Sequence, residues 1–164
     1  SNMNQALQGE VDYHKTSGET LLIEQQKMGE ELRHMARYDP LTGLPNRSLF
    51  LDRLHQALTR APWHGRTVAI CSLDLDHFKG INDALGHYFG DLLLKAIGQR
   101  LSLSLRPGDT VARIGGDEFG IFFADIAKVQ DMTKIVQPLI DSMSKPFVIE
   151  NREVYCTVSM GISM

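Results

Sequence analysis

Four acidic side chains in two short segments have the types and spacing to do chemistry. Asp74 and Asp76 lie in Cys71-Ser-Leu-Asp-Leu-Asp-His-Phe-Lys79, and Asp117 and Glu118 lie in Arg113-Ile-Gly-Gly-Asp-Glu-Phe-Gly-Ile-Phe122. The first segment follows the apolar run 67–70 and reads as a buried strand that ends in acids. Alternation along a strand then predicts Asp74 and Asp76 on one face and Leu73 and Leu75 on the other. In the second segment, residues 111–114 and 119–123 read as strands joined by a Gly115-Gly116 turn, with the two acids at its mouth. An ordinary glycine hairpin with solvated acids accounts for the second segment taken alone. Buried carboxylates side by side, however, require pairing, protonation or a bound cation. A hard divalent ion takes oxygen ligands and leaves positions for water and phosphate, so the two segments together point to metal-assisted phosphoryl or nucleotidyl transfer.

Between them runs Lys79-Gly-Ile-Asn-Asp-Ala-Leu-Gly-His-Tyr-Phe-Gly-Asp91, polar and punctuated by glycine. An ammonium group at Lys79, just past the acidic strand, suits phosphate oxygens. Asn82 offers donors and acceptors and Asp91 acceptors, a set that can read a guanine edge. Helix capping is the competing role for both residues, since both types cap well.

The elements that must position these groups follow an α/β pattern. Helical spacing of apolar residues marks 48–61, with Leu49, Phe50, Leu54 and Leu58, and also 92–105 and 129–143. A second hairpin is predicted from 147–149 and 154–158. Residues 1–18 read as a protease-cleavage scar (Ser1-Asn2-Met3) followed by a polar, aperiodic, mobile segment. Residues 19–38 are rich in helix formers, with Leu21, Met28 and Met35 seven apart. Either a coiled-coil signalling helix or an amphipathic helix packed on its own domain fits that stripe. Patterning alone predicts an α/β sandwich.

Composition bounds the rest. The chain has 164 residues, 43% hydrophobic and 23% charged, enough for one core and one catalytic domain. A formal net charge of −3 argues against a broad nucleic-acid surface. No run reaches the ~18 apolar residues of a membrane span. Cys71 and Cys156 lack metal-type spacing and read as two buried, reduced thiols of a cytoplasmic protein.

The chain resembles the GGDEF domain of bacterial diguanylate cyclases. The likeness rests on Gly115-Gly-Asp-Glu-Phe119, on Asp39-Pro-Leu-Thr-Gly-Leu-Pro-Asn-Arg47, on the spacing of the block from Asp74 to Asp91, and on Val158-Ser-Met-Gly-Ile162. It implies a palm-like core, a mainly antiparallel sheet flanked by helices, in a catalytic domain at 39–164. The resemblance implies Mg²⁺ or Mn²⁺ held by Asp74, Asp117, Glu118 and the Leu75 carbonyl, with Asp117 or Glu118 also helping to deprotonate a 3′-hydroxyl. Asn82 and Asp91 would read guanine and His87 would lie in the same pocket. The His77 and Phe78 amides and Lys79 would meet phosphate. Two GTP molecules, one per protomer of a homodimer, would then give cyclic di-GMP and pyrophosphate.

Arg106-Pro-Gly-Asp109 fits the R-x-x-D pattern of product-inhibited members, with Arg113 near enough in sequence to join it, although Pro-Gly-Asp is also a common turn. The resemblance further implies a helix and strand after Ser163, bearing basic residues for the triphosphate. The chain stops at Met164, so 39–164 is expected to lack them. A nucleotide-sensing or interaction module without turnover is the alternative function, and the protein is expected to be cytoplasmic or the cytoplasmic part of a longer sensor.

Overall fold

The computed structural model describes residues 2–164, so Ser1 of the expected scar lies outside the described residues. Two compact units divide the chain between Ala36 and Arg37.

The first unit consists of the helix α1 (Asn2–Arg37) up to Ala36, and α1 has no buried residue. Residues 4–17, expected to be irregular, are therefore helical. The segment contains no proline, and Thr16 and Thr20 donate their hydroxyls to the carbonyls of Asp12 and Thr16, both at 2.9 Å, satisfying themselves within the helix. Leu21, Met28, Leu32 and Met35 are all exposed on α1.

The second unit is built on a four-stranded antiparallel sheet in the order β2-β3-β1-β6. Its strands are β1 (Thr67–Leu75), β2 (Thr110–Gly115), β3 (Glu118–Ile126) and β6 (Val158–Ser163). Alternation splits the sheet's apolar side chains between two cores. Cys71, Leu73, Leu75, Phe119, Ile121 and Phe123 enter the larger core. There they meet α4 (His87–Ser104) and α5 (Met132–Met143) through Leu93, Ile97, Leu101 and Leu139. On the opposite face, Val68, Ala112 and Phe122 pack against Phe50 and Leu54 of α2 (Arg47–Arg60). The Phe50 and Phe122 rings lie 5.6 Å apart.

A two-stranded hairpin, β4 (Phe147–Ile149) and β5 (Arg152–Val154), stands apart from that sheet. The expected strand 154–158 is not one strand. Glu150 and Asn151 both take positive φ, closing a two-residue turn, so the returning strand is Arg152–Val154 and the chain breaks before β6 joins β1. Arg100 of α4 fastens this region. Its guanidinium donates to the carbonyls of Ser142, Lys145 and Pro146 and lies 3.6 Å from the centre of the Phe147 ring.

Candidate active site at the acidic strand end and the glycine hairpin

Pairing of β1 with β3 sets Asp74 directly opposite Glu118. Asp74 is exposed while Leu73 and Leu75 are buried, the alternation expected of the strand. Asp76 departs from the prediction. It lies past the end of β1, where its carboxylate accepts the Ser159 hydroxyl at 2.7 Å and its amide donates to the Thr157 carbonyl at 3.0 Å. Hydrogen bonds from Ser159 and Thr157 hold its pKa below the ordinary carboxylate range. Asp76 thus ties β6 to the strand end, and the acidic residues opposite one another in the ladder are Asp74 and Glu118.

The hairpin turn is Gly116-Asp117 rather than Gly115-Gly116. Gly115 still pairs with Glu118, and only Gly116 takes positive φ, at 48°. The Leu75 amide donates to the Asp117 carbonyl at 3.3 Å, bringing the turn to the end of β1. Among the described residues the carboxylates of Asp74, Asp117 and Glu118 carry no hydrogen bond and no ion pair. No three His, Cys, Asp or Glu side chains among those residues already converge as a closed cluster. The donor set nonetheless fits a divalent cation that keeps water or phosphate in its remaining positions, because its side chains are unpaired oxygen donors.

Beyond β1, His77 takes positive φ (57°) and opens α3 (Phe78–Leu85), which leaves the first amides of that helix without helical acceptors. Lys79 is exposed on its first turn. Neither Asn82 nor Asp91 caps a helix: Asn82 sits inside α3, and Asp91 one turn after His87 on α4. That i, i+4 spacing puts His87 and Asp91 on one face. Asn82 Oδ1 is buried with no hydrogen-bond partner. An orphaned acceptor of this kind is costly unless something else fills it. It can lie so close to α4 only because position 90 is glycine, where a Cβ would overlap Oδ1 and stand 3.2 Å from the Phe78 ring. Gly90 escaped the sequence reading, although a glycine inside a long helix is a signal of close packing.

Arg106, Asp109 and Arg113 do not form one group. Arg106 donates to both carboxylate oxygens of Asp109, at 2.9 and 3.0 Å, and to the Ala124 carbonyl at 2.9 Å. Asp109 also accepts the Ala124 amide at 3.1 Å, and its side chain is 1% exposed against 42% for Arg106. Asp109 is therefore a staple between the Pro107-Gly108 turn and β3, not a free guanine acceptor. Arg113 belongs to the glycine hairpin. It donates to the Gly116 carbonyl from Nε and Nη2, at 3.0 and 2.9 Å, and from Nη1 to Asp39, at 3.2 and 3.3 Å.

Asp39 opens the turn in Asp39-Pro-Leu-Thr-Gly43, accepting both the amide and the hydroxyl of Thr42 at 2.8 Å. Burial alone would raise its pKa, but the Thr42 hydrogen bonds and Arg113 outweigh it and the net shift is downward. Leu44 carries the turn into the larger core beside Gly98, whose missing side chain leaves room for it. Both cysteines are free and buried, and burial lifts the Cys71 thiol to about 11. No helix among the described residues is long and apolar enough to cross a membrane.

Comparison with known proteins places this geometry in context. The family profile described as "Diguanylate cyclase, GGDEF domain" matches residues 36–164. The cyclic di-GMP phosphodiesterase NbdA of Pseudomonas aeruginosa is 44% identical over 133 residues, 81% of this chain and 17% of that protein. The diguanylate cyclase TpbB of the same species is 40% identical over 140 residues, 85% of this chain and 32% of that protein. The chain thus spans a third or less of the length of these relatives. Among solved structures, the coiled coil and GGDEF domain of DgcB from Caulobacter crescentus, in complex with c-di-GMP, superposes with a TM-score of 0.76 at 26% identity, covering 93% of this chain and 81% of that one.

Proposed function

The chain belongs to the GGDEF domain family of diguanylate cyclases, and on that premise we propose that it condenses two GTP molecules into cyclic di-GMP. The observation that carries this reading is a set of three carboxylates without hydrogen-bond or ion-pair partners, Asp74 and Glu118 opposite one another in the β1–β3 ladder and Asp117 in the hairpin turn that the Leu75 amide ties to the end of β1. A divalent metal, when bound there, supplies charge neutralisation of the phosphates and acidifies the attacking hydroxyl. Asp74, Asp117 and Glu118, with the Leu75 carbonyl, are the residues that would hold it.

Asn82 fills its orphaned Oδ1 with a guanine N–H, and Asp91 accepts from the same edge, with His87 one turn away on the same face of α4. Free amides at the start of α3, with Lys79, meet the phosphates. Asp117 or Glu118 takes the proton of the 3′-hydroxyl. Each 3′-oxygen forms a bond to the α-phosphorus of the other GTP, and the bond to pyrophosphate breaks, so two GTP give one cyclic di-GMP and two pyrophosphates. Two half-sites must face one another, and a homodimer meets that need. The exposed Leu21, Met28, Leu32 and Met35 of α1 suit a helix-to-helix contact between protomers. Product binding at the exposed edge of Arg106 lowers turnover, while Asp109 sets the Arg106 geometry.

One finding favours a second reading. NbdA, whose name is that of a phosphodiesterase, is a relative at 44% identity. A domain that binds GTP and regulates a partner enzyme, without turnover of its own, would share that likeness. Incubation with GTP and Mg²⁺, followed by chromatography, separates the readings: cyclic di-GMP supports the cyclase, and bound but unchanged GTP supports the sensing module.

A further inference from the structure

We propose that Arg113, oriented by Asp39, is a positioning residue for Asp117, an inference that rests on the reading of Asp117 given above. Asp117 has no side-chain partner, so its direction comes from its backbone, and that backbone is anchored on both sides. The carbonyl after its Cα accepts from the Leu75 amide at 3.3 Å. The carbonyl before it, that of Gly116, accepts two N–H groups of Arg113 at 3.0 and 2.9 Å. The first anchor belongs to the strand that carries Asp74. The second is only as firm as the guanidinium, whose remaining edge is held by Asp39.

Both partners are largely sheltered, their side chains 17% and 15% exposed. Asp39 is itself fixed by Thr42. A second link lies alongside, since the Arg113 amide donates to the Pro45 carbonyl at 3.1 Å. The turn that opens this unit and the turn that bears Asp117 are thereby joined across 74 residues of sequence by one planar group. A guanidinium can place two parallel N–H groups on one carbonyl while its other edge faces a carboxylate, whereas a lysine ammonium lacks that fork.

The test uses the whole chain with Arg113→Lys and, as an independent route to the same geometry, Asp39→Asn, which retains an acceptor for Thr42. Mn²⁺ affinity is measured by electron paramagnetic resonance in the presence of a non-hydrolysable GTP analogue, beside kcat and KM for GTP and urea unfolding. Expected is a loss of about tenfold or more in Mn²⁺ affinity and in kcat for each variant, the scale seen when groups that orient metal ligands are removed. KM for GTP should move by no more than about twofold, since guanine contacts are untouched. The double variant should be little worse than either single one, because both remove one constraint. Unchanged Mn²⁺ affinity in folded variants, with only a loss of stability, would overturn the proposal and leave the pair as a structural ion bridge. A parent chain that binds no Mn²⁺ would overturn it as well. If the parent binds Mn²⁺ but forms no cyclic dinucleotide, the cyclase reading fails and the Mn²⁺ comparison alone decides the role of Arg113.

Discussion

Asn82 and Gly90 are interlocked across α3 and α4: the buried Oδ1 of Asn82 occupies the space that any side chain at position 90 would need. Helix propensity favours alanine over glycine by about 1 kcal/mol inside a helix such as α4. The geometry opposes it, because a Cβ would push Asn82 aside. Gly90→Ala is therefore expected to weaken GTP binding by roughly fivefold or more, the scale of one lost hydrogen bond. Titration calorimetry of the variant against the parent checks this. Equal affinity would mean that Asn82 does not read the base.

Asp109 and Arg106, paired to one another, are expected to fail in different ways. Asp109→Ala leaves the Ala124 amide and three Arg106 donors, the backbone amide, Nε and Nη2, without their carboxylate acceptor, and should cost about 1–3 kcal/mol in urea unfolding. Arg106→Ala removes the exposed partner and should chiefly raise the concentration of cyclic di-GMP needed to inhibit turnover. An unchanged inhibition curve would return Arg106 to a purely structural role.

Acid should weaken the entry turn in a defined direction. The Asp39 pKa is lowered in the folded chain, so its ionised form adds stability that is fully present above the ordinary aspartate value of about 3.9. That contribution is lost as pH falls through the lower folded value. In urea unfolding, the parent should exceed Asp39→Asn near neutrality and converge on it as the pH drops below about 4. A gap that stays constant down to pH 3 would contradict the assignment.

Arg100→Ala should destabilise the packing of α5 and β4 without touching the acidic site. Three carbonyls and the Phe147 ring lose one cation. With allowance for the partial exposure of Arg100, the expected cost is about 1–3 kcal/mol, with Mn²⁺ affinity unchanged. A coupled fall in Mn²⁺ affinity would show that the two regions are not independent.

Local pattern made some of these elements legible in the sequence and not others. Strands β2 and β3 could be read because apolar runs flank the glycines, and α2 because Phe50 and Leu54 recur at helical spacing. The turn itself was displaced by one residue, since the ladder irregularity between Arg113 and Gly115 lets Gly115 pair with Glu118, and a glycine pair does not say which member turns. Residues 4–17 gave no helical stripe because their helix buries nothing. Alternation places Asp74, but it puts Asp76 on the same face only if the strand continues, and β1 ends at Leu75. Arg113 is a candidate through its nearness in sequence to Arg106, and Asp39 appears only as the first residue of the entry signature; no spacing rule joins residues 74 apart. Asn82 could be named from its chemistry. That its acceptor is buried and unfilled could be seen only in three dimensions.

The most direct test of the central claim is to compare the parent chain with Asp117→Ala for cyclic di-GMP formed from GTP and Mg²⁺, confirming by circular dichroism that both are folded. Product from the parent and none from the variant, with GTP binding retained in both, is the predicted result. Equal product from both would remove Asp117 from the reaction, and bound GTP with no product from the parent would contradict the cyclase.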